Sequence, residues 1–482
     1  MMSKSKNNKN KHLHPASILY FIVTAAKESV SFIWIFPLLV LFVHEQMSDQ
    51  IPTVVIGVVA CGFLLMMFLV IAFLKWRAFT YEIGDKVIYI RSGLFVIKKR
   101  WVTPDRIQSI DSTIRIYDHL LSTRSLTLEL AGADEASITM SCISSEEEQH
   151  IRATLQMHLE IDSKDSNHES IIQLSKNDLI LHSFLSPKFG IILTILSLGL
   201  LKYWDMMREV DHNTLFTYLS SWFGTNWIIT TIVLILLISF VLSLLLTFGS
   251  DYHFYMKKNS KGELEIEQGL FEKKHRTISP DRIQAIQIIE RPLHRLLGYV
   301  SIQAVVIRNS KDEQHEKTIS ILPLIKKAKA SSILESFTGY EQSRDLHPLT
   351  KGATFHYIVL PFIVGLLITV PIILFVPTHY RYFASIVPVA LLSLGWMEYR
   401  KMSWNQGDHY LTVQYGILSR KTVIIKRGRI QWVSIRQTTL QERKQLASIK
   451  IMIASGKENV KYSLNHIPSD AALRIYQNTL KT

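Results

Sequence analysis

One stretch of sequence occurs three times in this chain. Gly93-Leu94-Phe95 is followed, thirteen residues after the glycine, by Arg106-Ile107-Gln108. The later copies, at the same spacing, are Gly269-Leu270-Phe271 with Arg282-Ile283-Gln284, and Gly416-Ile417-Leu418 with Arg429-Ile430-Gln431. A match without gaps at one spacing, found three times, indicates an internal repeat. We therefore predict three copies of one domain.

The composition places the chain among membrane proteins. It has 482 residues, of which 48% are hydrophobic, and its mean hydropathy is +0.17. Its two cysteines, Cys61 and Cys142, lie in different segments and show neither a disulfide pattern nor a metal-ligand spacing. We predict two unpaired thiols, and we interpret the lysine-rich start of the chain as a retained cytoplasmic tail.

Six apolar segments come in pairs, and each pair precedes one copy of the repeated stretch. Most of them approach the ~20 residues that a helix needs to cross a bilayer core of ~30 Å. The predicted spans cover residues 25–43, 51–74, 189–204, 227–248, 356–376 and 382–396.

The charge distribution predicts the orientation of these spans. The three segments that connect paired helices, residues 44–50, 202–226 and 378–381, hold only Lys202, Arg208 and Arg381 of the 54 Lys and Arg. Because positively charged loops stay on the cytoplasmic side, both termini and all three domains are predicted to be cytoplasmic, in a multi-pass plasma-membrane protein.

This organisation gives the predicted domain boundaries. They are a basic tail and interfacial segment (1–24), the first transmembrane pair (25–74), domain one (75–165), a linker with the second pair (166–250), domain two (251–346), a linker with the third pair (347–397), and domain three (398–482).

Within each domain, apolar and polar residues alternate over short stretches, as they do in antiparallel strands. A helix is predicted to close each copy. Ser144 or Ser145 can cap residues 146–160, Pro323 can begin residues 324–337, and Ser469 can cap residues 470–480. Several strands followed by one helix predict an antiparallel β-sandwich or barrel with a C-terminal helix.

A turn precedes the R-I-Q triplet. In the first two copies it is Pro104-Asp105-Arg106 and Pro280-Asp281-Arg282, whereas the third copy has Arg427-Gly428 in this place. The prolines preset the backbone of a turn, and each aspartate can bond the backbone just beyond it. We interpret these residues as structural and expect the third copy to depart from the turn.

Paired apolar helices followed by a strand-rich domain with G-(L/I)-(F/L) and (P)-D-R-I-Q resemble the bacterial pleckstrin-homology-like family (bPH2 type) that flanks membranes. The resemblance covers essentially the whole chain. It implies a multi-pass α-helical membrane protein with three cytoplasmic PH-like domains, often accompanied by a smaller PH-like membrane protein. It supplies no agreed biochemical activity.

The sequence offers little for catalysis. It contains none of the common nucleotide-binding, hydrolase or zinc motifs, and its 18 histidines lack ligand spacing. Glu146, Glu147 and Glu148 fit the solvated first turn of a helix better than a metal site. We therefore predict a non-enzymatic protein without a metal or cofactor.

The third domain carries most of the positive charge. Residues 398–482 hold 15 Lys and Arg against 5 Asp and Glu, and five of the basic residues surround one apolar strand: Arg420, Lys421, Lys426, Arg427 and Arg429. A Lys or Arg near an anionic leaflet contributes ~1 kcal/mol. This cluster is a candidate lipid- or partner-binding site, and a solvated basic strand is an equally good interpretation. For a multispan protein, topology and anionic lipid explain the pI near 9.5 better than nucleic acid does.

The sequence thus favours an envelope scaffold that presents three PH-like domains to the cytoplasmic leaflet or to partners, either a smaller PH-like membrane protein or further copies of itself. Resistance to membrane-active peptides is a further hypothesis. A transporter or channel component for lipid or peptide is the alternative, although the predicted spans carry few ionisable groups.

Overall fold

A computed structural model of the chain describes residues 11–29, 53–84, 87–94, 96–103, 107–130, 137–156, 171–186, 188–207, 227–259, 262–307, 318–343, 345–375, 384–454 and 459–480. Two compact units are present. One comprises residues 1–168 with 271–277, and the other comprises residues 169–270 with 278–482.

The described α-helices, numbered in chain order, are α1 (Ser17–Ser29), α2 (Thr53–Ala78), α3 (Ile116–Leu121), α4 (Ser145–Gln156), α5 (Lys176–Phe184), α6 (Lys188–Met207), α7 (Trp227–Asp251), α8 (Pro292–Leu296), α9 (Lys327–Thr338), α10 (Leu360–Phe375), α11 (Ile386–Lys401), α12 (Thr439–Glu442) and α13 (Ser469–Leu480). A π-helical turn, Phe355–Val359, leads into α10.

The described strands are β1 (Lys11–His12), β2 (Thr80–Ile83), β3 (Ile88–Ser92), β4 (Lys98–Val102), β5 (Ile107–Ile114), β6 (Thr123–Leu130), β7 (Ser137–Ser144), β8 (Ile171–Gln173), β9 (Tyr255–Lys258), β10 (Leu264–Gln268), β11 (Lys273–Ile278), β12 (Ile283–Glu290), β13 (Tyr299–Val306), β14 (Thr318–Lys326), β15 (His347–Pro348), β16 (Ser403–Gln406), β17 (Tyr410–Tyr415), β18 (Arg420–Lys426), β19 (Ile430–Arg436), β20 (Leu446–Ile453) and β21 (Val460–Pro468).

Three described helical stretches are long and apolar enough to cross a membrane: Gly57–Ala78, Ile229–Asp251 and Lys351–Leu374. The bent pair of α5 and α6 adds a fourth if it counts as one span. Most of the first predicted span lies outside the described residues, and α11 has 16 residues. The six-span count therefore stays a prediction.

Helices α10 and α11 form a close antiparallel pair. A Cβ added to Gly395 would lie 1.8 Å from the carbonyl oxygen of Tyr357, and one added to Gly365 would lie 2.6 Å from the Pro388 Cα. Small residues at such crossings let two helices in a bilayer approach each other closely. Because Gly395 is near the end of α11, that end lies beside the beginning of the Lys351–Leu374 stretch.

Each copy has an apolar core, and the cores of the second and third copies share residues where their strands pair, such as Ala285 and Ile424. In the third copy, β15–β18 form one layer and β19–β21 form the other, and α13 packs against the core between them through Ile475. The other two copies have their own clusters, which contain Tyr81, Leu126 and Ile151 in the first copy and Phe254, Ile302 and Leu334 in the second. The predicted β-sandwich with a C-terminal helix is present.

The sheets also continue between copies, which the sequence analysis did not predict. Strand β12 of the second copy pairs antiparallel with β18 of the third, from Ala285 opposite Ile425 to Glu290 opposite Arg420. Strand β11 of the second copy pairs with β5 of the first, with Lys273 opposite Ile114. Neighbouring copies are therefore joined by main-chain hydrogen bonds.

The predicted helix start at Pro323 is wrong. Pro323 lies inside β14, and the helix begins at Lys327. Strand β14 is the last strand of its sheet, and proline is tolerated in such an edge strand because its missing N–H costs no ladder hydrogen bond. In the first copy, Ser144 caps the helix by accepting a hydrogen bond from Glu147 N at 3.1 Å.

The turn before R-I-Q is a single 3₁₀ turn, Pro280–Arg282, in the second copy and Arg427–Arg429 in the third. The expected departure of the third copy is therefore wrong. The main chain closes the turn, since Arg282 N donates to Ser279 O at 3.0 Å, and Asp281 is exposed. Pro104, Asp105 and Arg106 lie outside the described residues.

Candidate functional site

The repeated glycine lies at the tip of a β-hairpin. Gly416, between β17 and β18, has φ +133°, and a Cβ at this position would lie 1.9 Å from the Ser419 carbonyl oxygen. Gly93 has φ +108° and would bring a Cβ within 2.0 Å of the Val96 carbonyl oxygen. Both the backbone angle and the close contact require glycine. The repeat therefore keeps its glycine in order to turn this hairpin.

The hairpin tip of the third copy is attached to the end of α11, the helix that packs against the Lys351–Leu374 stretch. Lys401, the last residue of α11, donates from its ammonium to the carbonyl oxygens of Ile417 and Leu418, the latter at 2.9 Å. Both tip residues are exposed, Leu418 to 64%. Two apolar side chains are thus presented where the helix meets the domain.

The second copy repeats this attachment by another route. Gly269 N donates to Tyr252 O, and Leu270 N donates to Gly249 O, both at 2.8 Å. Gly249 is in the last turn of α7, whose Ile229–Asp251 stretch is long enough to span a bilayer. In the second and third copies, the residue after the repeated glycine therefore lies beside the end of an apolar helix: Leu270 beside α7 and Ile417 beside α11.

A second apolar element lies close to the third-copy tip. The short helix α8 of the second copy exposes three leucines, Leu293, Leu296 (81%) and Leu297. It follows β12, which pairs with β18, and its Arg295 acts electrostatically on the Lys401 ammonium. We call the following eight residues the membrane-end surface: Leu293, Arg295, Leu296, Leu297, Lys401, Ile417, Leu418 and Arg420.

The charge at this surface is positive with one local counter-ion. Arg420 lies 3.9 Å from the carboxylate of Glu290, which also binds the Lys327 ammonium at 2.9 Å. The unit that contains the first copy has a related pair, because Arg115 lies 4.0 Å from Glu272 of the second copy's hairpin and precedes α3, which exposes Ile116 and Leu121. Basic groups next to exposed apolar side chains are the usual composition of a surface that contacts an anionic membrane.

The five basic residues predicted as one binding cluster are separated by the length of β18. Arg420 and Lys421 lie at its membrane end, whereas Lys426 lies at the other end, about 17 Å away at ~3.3 Å per residue. Arg427 donates to the carbonyl oxygens of Asp408, at 2.7 Å, and Asn478. Arg427 therefore ties the far loop to α13, and Arg429 belongs to the same 3₁₀ turn. Only the first two residues are placed to contact a membrane at this end.

The repeated arginine also makes a structural contact in the second copy. Arg282 donates from Nη2 to the Ile307 carbonyl oxygen at 2.7 Å. This bond links the turn before β12 to the end of β13. The structural role of the R-I-Q triplet stays a prediction.

Sequence reasoning missed a buried polar position that recurs 25 residues after the repeated glycine. It holds Asp118, His294 and Gln441, each of them buried. Seven residues further on, every copy has a serine: Ser125, Ser301 and Ser448. The repeated serine at a fixed spacing was the available signal, although the preceding residue differs in each copy.

In the first copy this position binds a cysteine. The Asp118 carboxylate accepts from the Thr123 hydroxyl at 2.8 Å and from the Cys142 thiol at 3.4 Å. Burial, reinforced by the Asp118 charge, raises the pKa of Cys142 to about 12. Cys142 and Cys61 are both free, as predicted, and Cys142 remains a neutral thiol at physiological pH.

In the third copy the same position binds a histidine. The Gln441 amide nitrogen lies 2.8 Å from both the Ser448 hydroxyl and His466 Nδ1. The His466 ring stacks on His356 at 4.2 Å between centroids, beside the π-helical turn below α10. Burial, with a smaller contribution from His356, lowers the pKa of His466 to about 4, so the ring is neutral near pH 7.

The repeated fold identifies the class of protein. The profile of the bacterial PH domain family matches residues 30–157, 194–339 and 358–480, so the chain belongs to this family. It is also similar to the UPF0699 transmembrane protein YdbT of Bacillus subtilis (strain 168), with 25% identity over 483 residues and 96% of each chain covered. The three family repeats and the apolar helices that are long enough to span a bilayer make this a membrane protein with repeated bacterial PH domains.

Proposed function

We propose that the protein is a non-enzymatic scaffold of the bacterial cell envelope that seats its PH-like domains on the cytoplasmic leaflet of the plasma membrane. The observation that carries the proposal is the membrane-end surface. It exposes Leu293, Leu296, Leu297, Ile417 and Leu418 where helix α11 ends.

Exposed apolar side chains need a partner, because contiguous apolar patches on soluble surfaces mark interaction sites. Here the membrane supplies one without a further protein. The Leu418 carbonyl oxygen accepts a hydrogen bond from Lys401, the last residue of α11, and α11 packs against the candidate span Lys351–Leu374. Each buried CH₂ contributes about 0.8 kcal/mol, so several leucines entering the interface would hold a domain against the bilayer.

The basic residues fit the same arrangement. Arg295, Lys401 and Arg420 surround the apolar tip, and the cytoplasmic leaflet is anionic. We infer that anionic headgroups are the polar part of the ligand. The domains would then lie on the lipid surface, where they could bind other envelope proteins.

The test compares labels at two ends of one strand. Strand β17 runs from the loop at Asp408 to the tip at Ile417, so these positions are separated by about 20 Å. Single cysteines replace Leu296, Leu418 or Asp408 in a chain with Cys61→Ser and Cys142→Ser, and each carries a fluorophore. In vesicles with anionic lipid, lipids brominated in the acyl chain should quench the labels at 296 and 418 and leave the label at 408 bright.

Equal quenching at all three positions would contradict the proposal, as would no quenching at 296 and 418. A vesicle series without anionic lipid isolates the contribution of charge. Added salt should weaken the part that depends on anionic lipid, since the Debye length falls to ~3 Å at 1 M.

We further propose that this scaffold contributes to resistance against membrane-active peptides. The support is the proposed seating of its domains on the membrane, the structure that such peptides attack. Deletion of the gene should raise sensitivity to some members of a peptide panel, and complementation with Leu296→Asp plus Leu418→Asp should fail to restore resistance. Unchanged sensitivity across the panel would rule out this role.

A further inference from the structure

Two strands, β4 and β19, lie at the edges of their sheets. In other copies the equivalent strands pair with a strand of a neighbouring copy. The first sheet has the order β1-β2-β3-β4, so the last strand, β4, has only β3 beside it. The last sheet has the order β19-β20-β21, so β20 is the only strand paired with β19, and helix α13 packs against β19 on the core side. Among the described residues, the first copy thus has an open sheet edge at β4, and the third copy has one at β19.

The open edges correspond to edges that are paired elsewhere in the chain. By repeat position, β4 is equivalent to β11 and β18, and β19 is equivalent to β5 and β12. Strand β5 pairs with β11, and β12 pairs with β18. Among the described strands, one member of each of these two sets, β4 and β19, has no such partner.

Both existing junctions use the same register. In the junction between the first and second copies, Thr113 lies opposite Lys274. In the junction between the second and third copies, the equivalent residues Ile289 and Lys421 lie opposite each other. The same positions in the open edges are Arg436 of β19 and Lys98 of β4.

Exposure shows what the missing partner leaves uncovered. Every residue of β12, which has partners on both sides, is buried. In β19 no residue is buried, and Trp432 is 45% exposed. In β4, Trp101 is 64% exposed. A neighbouring strand at each edge would cover part of these tryptophan side chains, and removing apolar surface from water favours the pairing.

The positive charge of β4 does not argue against pairing. Lysines on an edge strand often prevent association between sheets. However, β11 begins with Lys273 and Lys274, and β18 begins with Arg420 and Lys421, and both strands pair within the chain. The same charge pattern is therefore compatible with this junction.

We propose that β19 of one chain pairs antiparallel with β4 of a second copy of this chain, in the register of the internal junctions. One chain supplies both complementary edges, so the contact joins unlike surfaces head to tail. Such a contact produces a ring where the rotation closes and an open array where it does not. The partner thus extends the series of PH-like domains along the membrane.

The experiment is disulfide trapping between two full-length chains with different tags, expressed together; their native membranes are isolated and treated with the oxidant copper phenanthroline, because cytoplasmic thiols are otherwise kept reduced. Both lack the natural cysteines through Cys61→Ser and Cys142→Ser. One carries Arg436→Cys and the other carries Lys98→Cys. Directly opposed residues have Cα atoms about 4.5–5.5 Å apart, which a disulfide can bridge.

The matched control replaces Lys98→Cys with Lys99→Cys. A shift of one residue sends the side chain to the other face of the sheet, so this pair should not cross-link. The proposal requires a product that carries both tags and is several-fold stronger for 436 with 98 than for 436 with 99.

Equal yields for the two pairs would overturn the proposed register, and the absence of a doubly tagged product would overturn the pairing between copies. A single chain with both cysteines tests closure on itself. In one outcome, that chain loses both thiols and still migrates as a monomer, while the co-expressed pair gives no doubly tagged product. This result would mean that β19 binds β4 of its own chain, and the proposal of a second copy would be wrong.

Discussion

At the residue scale, the three copies carry different buried polar residues in the short helix that follows β5, β12 and β19. Asp118, His294 and Gln441 occupy one position in the repeat, and all are buried. Buried polar groups are found almost entirely with hydrogen-bond partners, so a change at this position requires matching changes around it. Accordingly, Asp118 faces Cys142, whereas Gln441 faces His466.

Gln441→Ala should destabilise the third copy. It removes partners of Ser448 and His466 and leaves the Thr438 N–H without its bond to the Gln441 oxygen, at 2.9 Å in the native structure. The cost of unsatisfied buried groups is about 1–3 kcal/mol. Hydrogen exchange of β20 and β21 in the full-length protein measures it, and the exposed neighbour Glu442→Ala is the control. If both variants exchange alike, the network adds no local stability.

The stability of the same copy should depend on pH. His466 has a folded-state pKa of about 4 against an ordinary value of 6.5, so the unfolded state takes up the proton first. The stabilising contribution of neutral His466 is complete above pH ~6.5 and is lost as the pH falls toward 4. Protonation of Nδ1 would also break the bond from Gln441.

Hydrogen exchange checks this prediction. After correction for intrinsic rates, protection of β20 and β21 should fall between pH 7 and 5 in the natural protein, and His466→Gln should reduce this dependence. His409→Gln, in an exposed loop of the same copy, should leave it unchanged. A pH response that persists in His466→Gln would assign it to other groups.

At the element scale, helix α7 carries a stripe of small hydroxyl residues inside an apolar sequence. Ser239, Ser243 and Thr247 recur at four-residue intervals and are almost fully buried. On the same helix, Phe240 contacts Phe184 at 4.8 Å between ring centroids. In a bilayer, small residues at this spacing allow helices to pack closely. The stripe is therefore a packing surface.

Ser243→Leu should weaken the packing of α7. Additional methyl groups in a filled interface cost about 1–3 kcal/mol. Thermal unfolding of the purified protein in mild detergent should show a lower midpoint for Ser243→Leu and a small change for Ser243→Ala. The exposed neighbour Leu242→Ile is the matched control. An unchanged midpoint in Ser243→Leu would indicate free space around this residue.

Edge strands show a second property of elements. β14 tolerates Pro323 because the strand ends its sheet, whereas β19 and β4 keep unbroken edges that can accept a partner. A proline in a strand usually argues against an inner position. Two kinds of edge are thus distinguished among the described strands. One is formed by β7, β14 and β21, which end their sheets in every copy, and the other by the strands that pair between copies.

At the scale of the whole molecule, all three domains should lie on one side of the membrane. Each follows a pair of predicted spans, and the basic residues lie outside the segments that connect paired helices. Reporter domains fused after Leu130 in domain one, after Asn259 in domain two and after Asp408 in domain three should all report cytoplasm. An external signal from any of them would contradict the six-span topology, and a reporter within residues 208–226 serves as the external control.

The sequence by itself determined the repeat, the apolar helices and the sandwich of each copy, because these depend on local pattern. The glycine of the motif was recognisable for the same reason, since the positive φ of Gly416 leaves no alternative residue. The Pro280 turn was recognisable too, although the main chain, rather than Asp281, closes it.

Only the tertiary structure decided how the pieces meet. The pairing of β12 with β18 uses main-chain groups, which every residue carries, so it leaves no residue signature. The basic cluster looked continuous because its members are close in sequence, but an extended strand places Lys421 and Lys426 about 17 Å apart. Conversely, Arg295 and Lys401 are 106 positions apart in the chain, and the pairing between copies brings them to one membrane-end surface.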